Sequence, residues 1–192
     1  MKTIVLFFLL LSVNLFYGQN LGGYYVTNEN DTIKCKFDVQ TNTFDSLIFY
    51  QTSVQKKVKI ILSNGEKLKY KPLEIKSFFI EKTKSGNYKF VSLDIDPDYF
   101  YQEILIGRIS IFYNYTYNMQ SGGLPIRRTY FLKDTEFSSR ETAFFNFRNW
   151  FGKFIEDFPE LYQKWMDSDN YYKKNDVYEV IKIYNEHFNN KK

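Results

Sequence analysis

Two hydrophobic periods divide this chain and restrict its fold more than any other feature of the sequence. From residue 22 to about 134 the period is two. Ile33, Cys35, Phe37 and Val39 alternate with Lys34, Lys36, Asp38 and Gln40. Successive side chains point to opposite sides of a strand, so this spacing makes a half-buried strand with one apolar face. From residue 138 the period is helical. Phe144, Phe147, Phe151, Phe154, Ile155 and Phe158 recur at i, i+3 and i+4, the stripe of a helix that buries one side. Strands first and helices last predict an α+β chain.

Turn residues give the strands their limits. Asn28 to Asp31 in "YYVTNENDT" separate strands at 23–28 and 32–40, which are expected to form a hairpin. A third strand is expected over "SLIFYQTSV" (46–54). "KKVKIIL" (56–62) and "KLKYKP" (67–72) flank "SNGE" (63–66), where Asn64-Gly65 is the strongest hairpin signal in the chain. Further strands are expected at 74–82, 88–95, 107–118 and 127–134. In the long segment Ile109, Ile111, Tyr113, Tyr115 and Tyr117 share one face. About seven to nine short strands with turns at regular intervals predict an antiparallel sandwich or barrel.

In the helical part Ser138 and Glu141 stand in capping-box spacing. Pro159 ends the first helix and starts the next, with Leu161 and Trp165 as apolar contacts. Asp176 and Glu179 repeat the capping spacing before Val177, Val180, Ile181, Tyr184 and Phe188. Two to three helices are expected, packed on the β part because their phenylalanine stripes need a partner surface. The expected division is therefore a leader at 1–19, an antiparallel β domain at 20–136 and a helical segment at 137–192.

The leader is read from "MKTIVLFFLLLSVNLFYGQN". Lys2 supplies the charged start, residues 4–13 an apolar run too short for a comfortable membrane span, and Gly18 a small residue at the cleavage site. A signal peptide cut after Gly18 or Gln19 is expected. The protein should then work in the periplasm, at the cell envelope or outside the cell. With no cysteine near the cut, an anchored lipoprotein is not expected. With no later long apolar run, neither is a transmembrane segment after the leader is removed. About 173 residues remain, enough for a core without covalent staples. A single cysteine excludes an internal disulfide.

Aromatic residues make up 20% of the chain, but Lys, Asn, Ile, Phe and Tyr are abundant together, the signature of an AT-rich genome. The aromatic excess alone therefore does not announce a ligand platform. Net charge is +4, or +3 without Lys2, and it is uneven. Residues 56–90 hold ten lysines against Glu66, Glu74 and Glu81, whereas residues 138–192 balance to zero.

Few residues suggest chemistry. His187 is the only histidine, near the end of the last helix, and no nucleophile signature accompanies it. Asp94, Asp96 and Asp98 in "SLDIDPDYFYQE" recur at i, i+2, i+4 and are candidate calcium ligands. They do not form an EF-hand loop, because Tyr99 stands where Gly is required and Leu105 where Glu is required. The competing reading is a turn made by Pro97 with solvated acidic neighbours. Lys67, Lys69 and Lys71 alternate with Leu68 and Tyr70, so they share one strand face and are candidates for an anionic surface. Such lysines also serve simply to block edge-to-edge aggregation. Acids for glycoside hydrolysis exist, but nothing pairs two of them at the required separation. No motif calls for a cofactor, and export argues against nucleic acid. Cys35, between Ile33 and Phe37 on the apolar face, reads as a small buried hydrophobe.

"GYYVTNENDTIKCKF" (23–37) resembles the opening of a family of secreted, β-rich proteins of Bacteroidota, whose pattern is close to G-Y-[IV]-x-x-x-x-G-D-T-[IL]-x-G-x-[IV]. Gly23, Tyr24, Asp31, Thr32 and Ile33 match, while Asn30 and Cys35 stand where the pattern has Gly. "GEKLKYKPLEIKSFFI" (65–80), "LIGRISIFY" (105–113) and "TYFLKD" (129–134) are similar to later pieces of that pattern. The resemblance implies export and a β-rich module. It implies no established activity and carries over no catalytic residue.

The leading expectation is a non-enzymatic periplasmic or envelope protein acting as a binding or structural module, with an envelope protein, a glycan or a lipid as partner. The alternative is a carrier of a small apolar ligand in an aromatic-lined barrel. A carboxylate-dependent hydrolase ranks below both.

Overall fold

A computed structural model describes residues 20–42, 44–117, 125–140 and 146–190. The leader lies outside the described residues, as do Glu141 of the capping spacing and Phe144 of the helical stripe. The chain is mostly β. Its strands are β1 (Leu21–Val26), β2 (Thr32–Phe37), β3 (Val58–Ile61), β4 (Lys67–Tyr70), β5 (Ser77–Thr83), β6 (Gly86–Leu93), β7 (Asp96–Leu105), β8 (Ile109–Tyr117), β9 (Pro125–Lys133) and β10 (Glu136–Ser139). They form one open sheet in the order β10-β9-β8-β7-β6-β5-β1-β2-β3-β4. Three helices follow, α1 (Phe147–Ile155), α2 (Pro159–Met166) and α3 (Val177–Asn189). The α+β order is as expected. Among the described residues the ten strands exceed the expected number, and the sheet ends in β4 and β10 without closing.

Two compact units divide the chain, Met1–Ser92 with Pro97–Phe100, and Leu93–Asp96 with Tyr101–Lys192. The change of period at 138 falls inside the second unit.

In the first unit one sheet face carries the core. Leu21, Tyr25, Cys35, Phe37, Val58, Ile60, Phe78, Ile80 and Phe90 pack there with Phe49, Val54, Ile75 and Phe100. Phe78 stacks on Phe90 at 5.0 Å and meets the edge of Phe100 at 5.0 Å. The segment 46–54 was expected as a strand and is not one. It makes an isolated bridge through Phe49 and a 3-10 turn at Gln51–Ser53. Phe49 and Val54 are its buried residues, and they cover the core face. Burial of these two side chains outweighs the local strand preference.

The hairpins follow their turn chemistry. Leu62 N–H donates to Glu66 O at 2.9 Å and Gly65 N–H to Leu62 O at 3.0 Å, with Gly65 at φ +85°. Gly65 is thus the left-handed last residue of a three-residue loop. Asn30 closes the β1–β2 turn at φ +74°, a region in which Asn is among the few tolerated side chains.

In the second unit the helices pack on β8 and β9. Ile109, Ile111 and Phe131 share a core with Phe147, Phe151, Phe154 and Ile155 of α1, Leu161 and Trp165 of α2, and Val180, Ile181 and Tyr184 of α3. Pro159 is the first residue of α2, where its missing N–H has no intrahelical partner to lose. Two helix-start expectations need correction. Ser138 lies in β10, paired with Phe131, because a Lys133–Glu136 hairpin continues the sheet before α1 begins. Asp176 makes no side-chain cap for α3. Its carboxylate accepts Lys173 N–H at 2.7 Å instead, closing the preceding 3-10 turn.

Candidate functional site

The solvent-facing side of the first unit's sheet is built by strand register. On β2 the buried residues are Cys35 and Phe37, so Lys34 and Lys36 project from the other face and are exposed. Lys59 of β3 stands opposite Lys69 of β4, and Ile61 stands between Lys36 of β2 and Lys67 of β4. Lys34, Lys36, Lys59, Lys67 and Lys69 therefore occupy one face across three strands. Asp38 is the acid among them, 4.0 Å from Lys59. Both members of that pair are half exposed, so it contributes at most about 1 kcal/mol. Among the described residues Lys34, Lys36, Lys67 and Lys69 have no ion-pair partner.

A cleft opens in this face for a geometric reason. β2 and β3 pair only at Lys36–Ile61 and Phe37–Ile60. Toward Lys34, β2 stays paired with β1 but parts from β3, and a cleft of about 430 Å³ is left between Lys34, Cys35 and Lys36 on one side and Ile61, Leu62 and Gly65 on the other. A second hollow of about 340 Å³ is lined by Asp38, Lys59, Ile61, Lys67 and Lys69. Both have basic rims and a partly apolar floor.

Of the three lysines expected to share a face, Lys67 and Lys69 do so on β4. Lys71 lies beyond the strand, where its N–H bonds the Glu74 carboxylate at 2.7 Å. The bridge Pro72–Ile75 turns the chain there, so the two-residue alternation stops at Tyr70. Lys34 and Lys36 were not singled out from the sequence, although their alternation with Cys35 placed them on the polar face.

The acidic triplet is arranged differently from a calcium site. Asp94 lies in the two-residue turn after β6, Asp96 opens β7, and Asp98 is the third residue of that strand. The turn falls at Asp94–Ile95, and Pro97 lies inside the strand. Asp96 accepts the Tyr101 hydroxyl at 2.5 Å. Among the described residues no group of three or more His, Cys, Asp or Glu is placed to hold a metal ion.

Three carboxyl groups are held by basic and hydrogen-bonding partners. Lys84 and the Leu47 N–H hold Asp45 below the usual carboxylate range, and Lys164 does the same for Glu160. Burial pushes Asp157 up, but hydrogen bonds from Lys133 and Tyr184 and the charges of Lys133 and Arg108 outweigh it and hold the carboxyl low. General acids need raised values, and all three of these are lowered. His187 lies flat on Phe158, with ring centroids 3.8 Å apart. Burial pushes the Cys35 thiol up to about 12, far from the thiolate that nucleophilic chemistry requires.

No helix among the described residues is long and apolar enough to cross a membrane. The chain matches no family model, no curated protein and no solved structure.

Proposed function

We propose that this is an exported, non-enzymatic protein of the periplasm or cell envelope that works as a binding module, with the lysine face of β2, β3 and β4 as its contact surface. The observation that carries this reading is the placement of Lys34, Lys36, Lys67 and Lys69 together on one exposed face without ion-pair partners among the described residues. A surface of one charge sign raises the local concentration of anionic partners and speeds their capture. The leader at 1–19 and the resemblance to secreted Bacteroidota proteins support export. The left-handed backbone at Asn30, where that family's pattern has Gly, is in keeping with the resemblance. Phe78, Phe90 and Phe100 pack on one another instead of lining a hollow, which favours the binding surface over a carrier.

Cosedimentation with cell-envelope fragments tests the proposal. The wild-type protein is expected to sediment at low salt and to be released by high salt, which screens exposed charges. The fourfold variant Lys34→Gln, Lys36→Gln, Lys67→Gln, Lys69→Gln is expected to stay in solution. A folded variant that sediments like the wild type would refute this use of the face.

A further inference from the structure

The same face carries a second feature that charge alone does not explain. Lys34 of β2 stands opposite Tyr24 of β1, Tyr24 opposite Phe79 of β5, and Phe79 opposite Lys89 of β6. The two rings stack with centroids 5.2 Å apart. A cation, two stacked rings and another cation thus form one row across four strands. The neighbouring row holds Lys67, Ile61, Lys36 and Gly22. Gly22 is exposed, and a Cβ built on it would meet nothing within 4 Å. It lies two residues from Tyr24 on the same side of β1, so bare backbone adjoins the ring stack. The missing side chain leaves open space in this row, a recess one side chain deep between Tyr24 and Lys36, with Lys34 across from Tyr24.

We infer that this recess, with the Tyr24–Phe79 stack and the ammonium groups of Lys34 and Lys36, binds an acidic polysaccharide. The inference rests on the proposed role of the lysine face and names its partner. The C–H bonds of a sugar ring carry partial positive charge and pack against the negative face of an aromatic ring. Carboxylates along the same glycan then meet Lys34 and Lys36, two residues apart on β2 and so roughly 7 Å apart, with Lys67 beyond Ile61 at roughly 10 Å from Lys36. A lipid surface fits less well. The large apolar side chains that stand exposed in this unit, Phe44, Leu47 and Leu73, lie outside these rows, and Tyr24 and Phe79 are half-buried against each other.

Titration of the purified protein with polygalacturonate tests the inference. Uncharged dextran, phosphatidylglycerol vesicles and an oligothymidylate serve as comparisons. Salt-sensitive binding of polygalacturonate is expected. Gly22→Leu fills the recess and Tyr24→Leu removes the ring, both without changing charge. Each is expected to weaken binding roughly threefold to tenfold, the size of one ring contact, with the circular dichroism spectrum unchanged. Gly22→Leu projects into open space, so it keeps the test valid if the Tyr24 variant folds poorly. Equal affinity of the wild type and Gly22→Leu would overturn the inference. Tighter binding of vesicles or oligothymidylate than of polygalacturonate would overturn it while leaving the lysine-face reading standing. Failure to bind any of the anions would overturn both.

Discussion

Asn185 on α3 holds both backbone polar groups of Ile109 on β8. Its Oδ1 accepts the Ile109 N–H at 2.9 Å and its Nδ2 donates to the Ile109 carbonyl at 2.8 Å. Both residues are buried. A buried peptide group that loses its partner carries the full desolvation penalty, about 1–3 kcal/mol. Asn185→Ala orphans two such groups at the start of β8. The expected loss is about 3 kcal/mol of unfolding free energy, read from denaturant melts.

Gly107 protects that contact. A Cβ at position 107 would lie 2.3 Å from the Asn185 Nδ2. Gly107→Ala should therefore destabilise by dislodging the amide. Combined with Asn185→Ala it should add less than its single-variant effect, because the clashing amide is then gone. Strict additivity in the double-mutant cycle would show that the glycine acts in some other way.

Gly23 is required on different grounds. A Cβ there would come within 1.9 Å of the Phe79 carbonyl oxygen, a backbone atom that cannot rotate away. β1 and β5 would have to separate where Gly23 faces Ile80. Gly23→Ala is expected to cost more than about 3 kcal/mol or to abolish folding of this unit. Gly22→Ala, one residue earlier with open space above it, should be nearly neutral in the same melt.

The Asp157 cluster sets an acid limit on stability. The carboxyl accepts Arg108 at 2.8 Å, Lys133 at 3.0 Å and the Tyr184 hydroxyl at 2.9 Å, and its folded-state pKa is depressed. A depressed carboxylate stabilises the fold fully above its unfolded value, about 3.9, and the contribution disappears as pH falls through the folded value. Stability should thus fall below about pH 4. Asp157→Asn should be less stable at neutral pH and should lose part of that acid dependence. Tyr184 gives the opposite sign. Burial and the neighbouring Asp157 raise its pKa, so its contribution is present below about pH 10 and is lost as pH rises. Tyr184→Phe should flatten the alkaline side of the same stability profile.

Cys35 should behave as an inert filler. It is 9% exposed, with its thiol pushed up to about 12 by burial. Native protein at neutral pH is expected to react with a thiol reagent only as fast as it unfolds locally. Cys35→Ala should cost about 1 kcal/mol. Immediate stoichiometric labelling would contradict burial.

Local pattern settled much of the architecture. The alternation around Cys35 put Lys34 and Lys36 on the polar side of β2, Gly65 closed a hairpin where expected, and Pro159 started α2. These outcomes depend on neighbours within a few residues. Acidic and turn-forming residues at 94–98 hide the start of the ten-residue β7, and the capping spacing at Ser138 hides the four-residue β10, because their pairing partners decide both. Phe49 and Val54 left the sheet to cover the core for the same reason.

The candidate site lay further from reach. Lys34 meets Tyr24 through one hairpin, but Tyr24 meets Phe79 only because β5 crosses back to pair with β1. The grip of Asn185 on Ile109 spans 76 positions. By itself the sequence determined which side of each strand is polar and where most turns fall, since both follow from local alternation and backbone preference. Only the tertiary structure decided which polar sides adjoin, because register between distant strands is chosen by how their buried faces pack.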